Sequence, residues 1–140
     1  VLRSWWMAGL MLVVGVVAAV RAYHPVVAAV ELLVFAVLAA LFSPLVFPRS
    51  LTAAEARERS ARDGRPVVYW RPGCRYCLRL RLRLGRRAGR AHWVNIWRDP
   101  DGAAAVRAVT DGDETVPTVV LGDEAVVNPE PAWLRERLRS

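Results

Sequence analysis

Two cysteines, Cys74 and Cys77, stand three positions apart in the stretch PGCRYCLRLRLRLG, and the 140-residue chain holds no others. Thiol chemistry runs through the thiolate. A pair at this spacing can exchange disulfides: one sulfur attacks, and the other resolves the mixed disulfide that forms. Spacing alone also admits two inert cysteines. A structural zinc site needs four ligands, and the polar half of the chain adds only His92 to the two cysteines. No metal and no bound cofactor are therefore expected.

The chemistry depends on the element that holds the pair. Leucine and arginine alternate from Leu78 to Leu84. In a strand the leucines would face one way and the arginines the other. Both residues are strong helix formers, however, and no β-branched residue occurs between Cys77 and Arg87. On a helix, Cys77, Leu80 and Leu84 share one stripe, and Leu78 and Leu82 form a second. The second stripe would pack on the C-terminal helix around Trp133 and Leu134 or on a membrane surface. The pattern is ambiguous until its neighbours are read. RPVVYW before it and AHWVNIW after it are short buried strands. Parallel neighbours need a crossover, so the segment reads as a helix. Cys74 then sits at its N-terminus, where free N–H groups and the helix dipole favour negative charge. Arg71, Arg75 and Arg79 add positive charge. Cys77, one turn in, is more buried.

Other elements follow from local chemistry. Thr52 and Glu55 have capping-box spacing, and Gly64 can end that helix in a left-handed turn. Asp99 and Pro100 suit the N-cap and first position of a helix over DPDGAAAVRAV. TVPTVVL and EAVVN are strands joined by the hairpin signal Gly122-Asp123. Asn128 is expected to cap the last helix. The order helix, strand, helix, strand, helix, strand, strand, helix predicts an α/β sheet of about four strands, mixed in direction and flanked by helices. Trp93, Trp97 and His92 read as structural. For Trp70, both the rim of the cysteine site and the core are open.

The first third of the chain belongs to a different solvent. It is uncharged from Ser4 to Val20, and from Val26 to Phe47 it carries only Glu31. A bilayer core needs about 20 mostly apolar residues in a helix. The expectation is a hairpin over residues 1–48, with spans at about 4–21 and 26–47; a cleaved secretory signal before one span is the alternative. Glu31 is expected near the interface, reaching water. Arg49, Arg57, Arg59, Arg62 and Arg65 follow the second span, while the loop between spans offers only Arg21. Arginine on that side places the C-terminal part in the cytoplasm of a two-pass inner-membrane protein. That compartment keeps thiols reduced, so a cysteine pair there is more often catalytic or metal-binding than structural. The net charge is +7, and all 20 basic residues other than histidine are arginine. Total exclusion of lysine points to GC-rich coding rather than to nucleic acid. No aromatic nucleic-acid motif accompanies the charge, and no nucleic-acid partner is expected.

CRYC at the head of a helix, VNIWRDPDGAAAV, TVPTVV and NPE, in this order, resemble glutaredoxins, and most of all the actinobacterial mycoredoxin branch. The likeness covers residues 66–140; residues 49–65 read as a linker helix. The resemblance implies a thioredoxin fold and thiol–disulfide exchange in cell redox homeostasis. It implies Cys74 as nucleophile, Cys77 as resolving cysteine and a cis peptide at Pro117. Val116 would then offer backbone groups to the substrate or thiol, and Tyr76, Arg75, Thr115, Pro117 and Asn128 would belong to the same substrate and thiol site. Arg75 replaces the small residue or proline usual between the cysteines. AVVNPE lacks the Gly-Gly-x-Asp motif that holds the glutathione carboxylate in many glutaredoxins. Mycothiol is therefore the expected co-substrate, with glutathione second. The clients would be protein disulfides or protein–mycothiol mixed disulfides. The rival readings are an outward-facing enzyme that forms or isomerises disulfides, and a non-catalytic module that kept the fold.

Overall fold

A computed structural model of the chain describes residues 2–139. It divides into two compact units, Val1–Val46 and Phe47–Ser140.

The first unit is a helical hairpin of α1 (Leu2–Arg21) and α2 (Pro25–Phe42). Its less exposed positions fall at alternating spacings of three and four: Ala8, Met11, Gly15 and Ala18 on α1, and Ala28, Glu31, Phe35 and Leu38 on α2. That is the seam of two helices packed side by side. Gly15 permits the close approach, since a Cβ there would lie 2.5 Å from the Phe35 Cβ. One Glu31 carboxylate oxygen is buried without a hydrogen-bond partner among the described residues, and the residue as a whole is half-buried. The second helix stops at Phe42, short of the expected Phe47. Ser43 is extended and precedes Pro44, where helical backbone is disfavoured. Among the described residues, Pro25–Phe42 alone is long and apolar enough to cross a membrane. The apolar stretch of α1, Trp5–Arg21, falls short of that length.

The second unit holds β1 (Ser50–Leu51), α3 (Ala53–Asp63), β2 (Val67–Trp70), α4 (Arg75–Leu84), β3 (His92–Asn95), α5 (Pro100–Val109), β4 (Thr118–Leu121), β5 (Glu124–Val127) and α6 (Pro131–Arg137). Five strands, one more than expected, form a mixed sheet in the order β1-β3-β2-β4-β5. β1 and β2 run parallel to β3, β4 runs antiparallel to β2, and β5 closes a hairpin with β4. Residues 49–65, read as a linker, are part of this sheet unit: β1 pairs with β3, and α3 packs on β2, β3 and α5. Helices thus flank a mixed sheet, as a thioredoxin fold requires.

The path from β1 to β2 crosses the sheet one way, and the path from β2 to β3 returns. Right-handed crossovers then put α3 and α4 on opposite faces. α5 packs with α3, and α6 with α4. The central strands β2 and β3 are buried at every residue, because helices cover both faces. Trp70 is core, not rim: it is 1 % exposed, stacks on Phe47 at 3.8 Å and donates its indole N–H to Ser50. Trp93 donates to the Ala88 carbonyl from the same core. His92 is buried and pairs with Asp63 at 2.9 Å, a structural place.

The caps follow local chemistry. The Thr52 hydroxyl accepts from Glu55 N–H, and Gly64 ends α3 with φ 66°. Asp99 accepts from Asp101 and Gly102 at the start of α5. The other carboxylate oxygen of Asp99 accepts from Ala53 N–H at 2.5 Å, which ties α3 to α5. Asn128 is not the cap of α6. Glu130 holds that place, with Pro131 at the first helical position.

Candidate active site

The Leu/Arg alternation is a helix, α4, and it starts at the first cysteine. Gly73, at φ 77°, turns the chain out of β2. Cys74 then takes the N-cap position in extended geometry, and its Sγ accepts from Cys77 N–H at 3.2 Å. The N-cap side chain satisfies one of the free amides of the first turn. A thiol does this best as a thiolate. Cys77 falls on the apolar stripe with Leu80 and Leu84 and is fully buried. Leu82, on the second stripe, is 55 % exposed. That stripe is not packed as a whole.

This arrangement lowers the Cys74 pKa to about 6. The hydrogen bond with the Cys77 thiol acts most strongly, and it outweighs the burial that favours the neutral thiol. Backbone N–H groups of Cys77 and Tyr76 and the charge of Arg71 add to it. Cys77 moves the other way. Burial is its largest cause, followed by the hydrogen bond to Cys74 and the negative charge there. The pair therefore divides into one ready nucleophile and one thiol that holds its proton.

The opposite wall comes from the loop before β4. The Val116–Pro117 peptide is cis. The Cys74 thiol, when protonated, donates to the Val116 carbonyl at 3.4 Å. Together the two segments enclose a cleft of about 520 Å³. Arg71, Gly73, Cys74, Arg75 and Tyr76 form one side, and Asp113, Glu114, Thr115 and Val116 the other. Arg75 lies over the Tyr76 ring at 4.7 Å and donates to its hydroxyl at 2.8 Å.

The cleft brings together Cys74, Arg75, Tyr76, Thr115 and Val116 of the expected site residues. Cys77 and Pro117 are buried behind it. Asn128 does not line the cleft itself but shares a small neighbouring hollow with Tyr76. Its backbone N–H donates to the Pro117 carbonyl at 2.7 Å, with φ at 49°. It acts on the site as a tie to the proline loop. Asp113 and Glu114 line the cleft without being among the expected site residues. The acidic pair just before TVPTVV is the signal that could have found them. Glu114 is held by Arg107 at 2.5 Å.

No group of three or more metal-ligating side chains occurs among the described residues. Neither a curated protein nor a solved structure matches the chain. A family model does: the glutaredoxin domain model matches residues 67–126, from the first residue of β2 through both cysteines and the cis-proline loop into β5.

Proposed function

We propose that the chain is a membrane-anchored thiol–disulfide oxidoreductase of glutaredoxin type, with Cys74 as nucleophile and Cys77 as resolving cysteine. The observation that carries this reading is the Cys74 sulfur at the head of α4, accepting Cys77 N–H at 3.2 Å with its pKa lowered to about 6. At neutral pH it is mostly thiolate.

The thiolate attacks one sulfur of a client disulfide. The S–S bond breaks, the second client sulfur leaves as thiolate, and Cys74 carries a mixed disulfide. Cys77 can then lose its proton and attack Cys74 Sγ. That step closes the Cys74–Cys77 disulfide and releases the client reduced by two electrons. Two small-thiol molecules restore the pair and leave as their own disulfide. For a protein–mycothiol mixed disulfide a shorter route suffices: Cys74 takes the mycothiol half, and a second mycothiol thiolate clears it. The buried, proton-holding Cys77 favours this shorter route. Mycothiol is the proposed co-substrate, with glutathione second. Thr115 and Val116 would pair by backbone with an extended client segment, and Arg75 and Tyr76 would meet the small thiol at the rim. Both N-terminal helices would span the inner membrane, with the sheet unit on the arginine-rich, cytoplasmic side.

The full chain tests this. Cys74→Ser is expected to abolish thiol transfer. Cys77→Ser is expected to keep the removal of small-thiol mixed disulfides and to lose the reduction of protein disulfides. Full transfer by Cys74→Ser would sink the assignment. A topology reporter after Ser140 that reads extracytoplasmic would overturn the sidedness.

A further inference from the structure

A second, larger hollow lies between α3 and α5 over β2 and β4. It measures about 810 Å³ and shares no lining residue with the cysteine cleft. α3 and α4 lie on opposite faces, so it opens on the side of the sheet away from α4. Ala105, Val109 and Val120 contribute to its apolar walls. Its polar side chains are Arg57, Tyr69 and Ser60, and the Ser60 hydroxyl is spent on the Arg65 carbonyl. Arg57 and Tyr69 lie close enough for the charge of Arg57 to act on the Tyr69 phenol. An apolar hollow of this size with a few convergent polar groups is the usual form of a small-molecule site.

The charge of Arg57 is the informative part. Every acidic side chain on α3 is taken. Glu55 pairs with Arg59, Glu58 with Arg62, and Asp63 with His92 and Arg65. Asp99, whose charge acts on Tyr69, spends one oxygen on the α5 amides and the other on Ala53 N–H. Arg57 makes no ion pair among the described residues, and its i±3 and i±4 neighbours are Ala53, Ala54, Ser60 and Ala61. A guanidinium fork beside a phenolic donor matches one carboxylate, with two N–H groups on its oxygens and the tyrosine O–H beside them. One cation balances one negative charge, which suits a carboxylate better than a phosphate monoester.

We infer that the α3–α5 groove binds a free long-chain carboxylate, its head on Arg57 and Tyr69 and its hydrocarbon body along Ala105, Val109 and Val120. The site is separate from the thiol chemistry and does not depend on it.

The test uses the full chain in lipid nanodiscs and dodecanoate bearing a terminal diazirine as probe. The matching methyl ester and a phosphatidylglycerol with the same diazirine tail serve as comparisons. After illumination, mass spectrometry locates the label. The acid is expected to label the 105–109 and 120–122 segments, and the ester about tenfold less, since a charge-assisted hydrogen bond is lost. Arg57→Gln should lower labelling by the acid about tenfold, and Tyr69→Phe by less. Ala105→Phe should block it, and an unchanged rate of Cys74 alkylation shows that this variant is folded. Equal labelling by acid and ester would overturn the inference. So would full labelling of Arg57→Gln, or a stronger groove signal from the phosphatidylglycerol probe.

Discussion

The hairpin and the sheet unit bury opposite kinds of side chain. In the sheet unit the large residues are inside: Trp70, Trp93, Val68 and Val119 are at most 1 % exposed. In the hairpin the most buried apolar residues are small, and most of the large ones stand outside. Ala8 and Ala39 are 5 % exposed, while Val13 and Leu33 stand at 61 % and 65 %. Water rewards the first pattern. In lipid, helices gain nothing from hiding leucine and associate through small residues that let backbones approach. The contrast goes beyond length and composition, and it supports the proposed anchoring even for α1, whose apolar stretch is short. Polar groups divide the same way. The sheet unit partners its buried indoles and His92, whereas in the hairpin one Glu31 oxygen is buried without a partner among the described residues.

The most severe way to break this comparison is to put one charge on the outer face of the hairpin and one into the core of the sheet unit. Leu33→Arg faces the proposed lipid, where arginine costs about 3 kcal/mol relative to leucine near the bilayer centre. Carbonate-resistant membrane association of the full chain should fall sharply, with the sheet unit still folded. Val119→Arg places an unpaired charge in a dry core, at a cost of several kcal/mol. It should unfold the sheet unit and leave the chain in the membrane fraction. If Leu33→Arg left extraction unchanged, the hairpin would not be facing lipid.

The same contrast in burial, reduced to three residues, separates the two thiols. Alkylation of Cys74 by iodoacetamide should rise with pH through about 6, as its lowered pKa demands. The lowered pKa favours the thiolate, so reactivity is present above that pH and lost below it. Cys77 should stay unlabelled in the folded chain across the same range, since it is buried with its pKa raised. The check is site-resolved alkylation kinetics. Matching profiles for both thiols would erase the division of roles.

What could be read from residues alone was whatever local chemistry decides. Thr52, Gly64, Asp99 and Pro100 announce their helix ends because the groups they satisfy lie within three or four positions. α4 needed its neighbours, because a Leu/Arg alternation fits both periods. β1 was not legible: two residues carry no period, and what makes them a strand is β3, more than forty positions on. The two-layer cover of the sheet also hid the place of Trp70, since a strand buried on both faces does not reveal which side a residue takes. Pairing across 42 positions made the Cys74–Val116 contact visible only through a family likeness. The acidic wall at Asp113 and Glu114 is marked only by its place just before TVPTVV. At Asn128 two prolines competed for the start of α6, and the second won.

The smallest expected effect compares two carboxylates. Asp63 accepts from the buried His92 and from Arg65 N–H. Burial of Asp63 acts to raise its pKa, but these hydrogen bonds and the neighbouring positive charges outweigh it, and the net shift is downward. A lowered carboxylate pKa stabilises the fold above the unfolded-state value of about 4, and that contribution disappears as pH falls through the folded value. Asp63 is 36 % exposed, so solvent screens the pair. Asp63→Asn should therefore cost about 1 kcal/mol at neutral pH. The gap from the parent chain should close in acid, as read from denaturant midpoints at both pH values. Glu31→Leu removes a carboxylate with no partner among the described residues, and the hairpin should be no less stable for it. If Glu31→Leu weakened the hairpin as much as Asp63→Asn weakens the sheet unit, the bare oxygen would have a partner in the membrane. The two units would then satisfy their buried polar groups by the same rule.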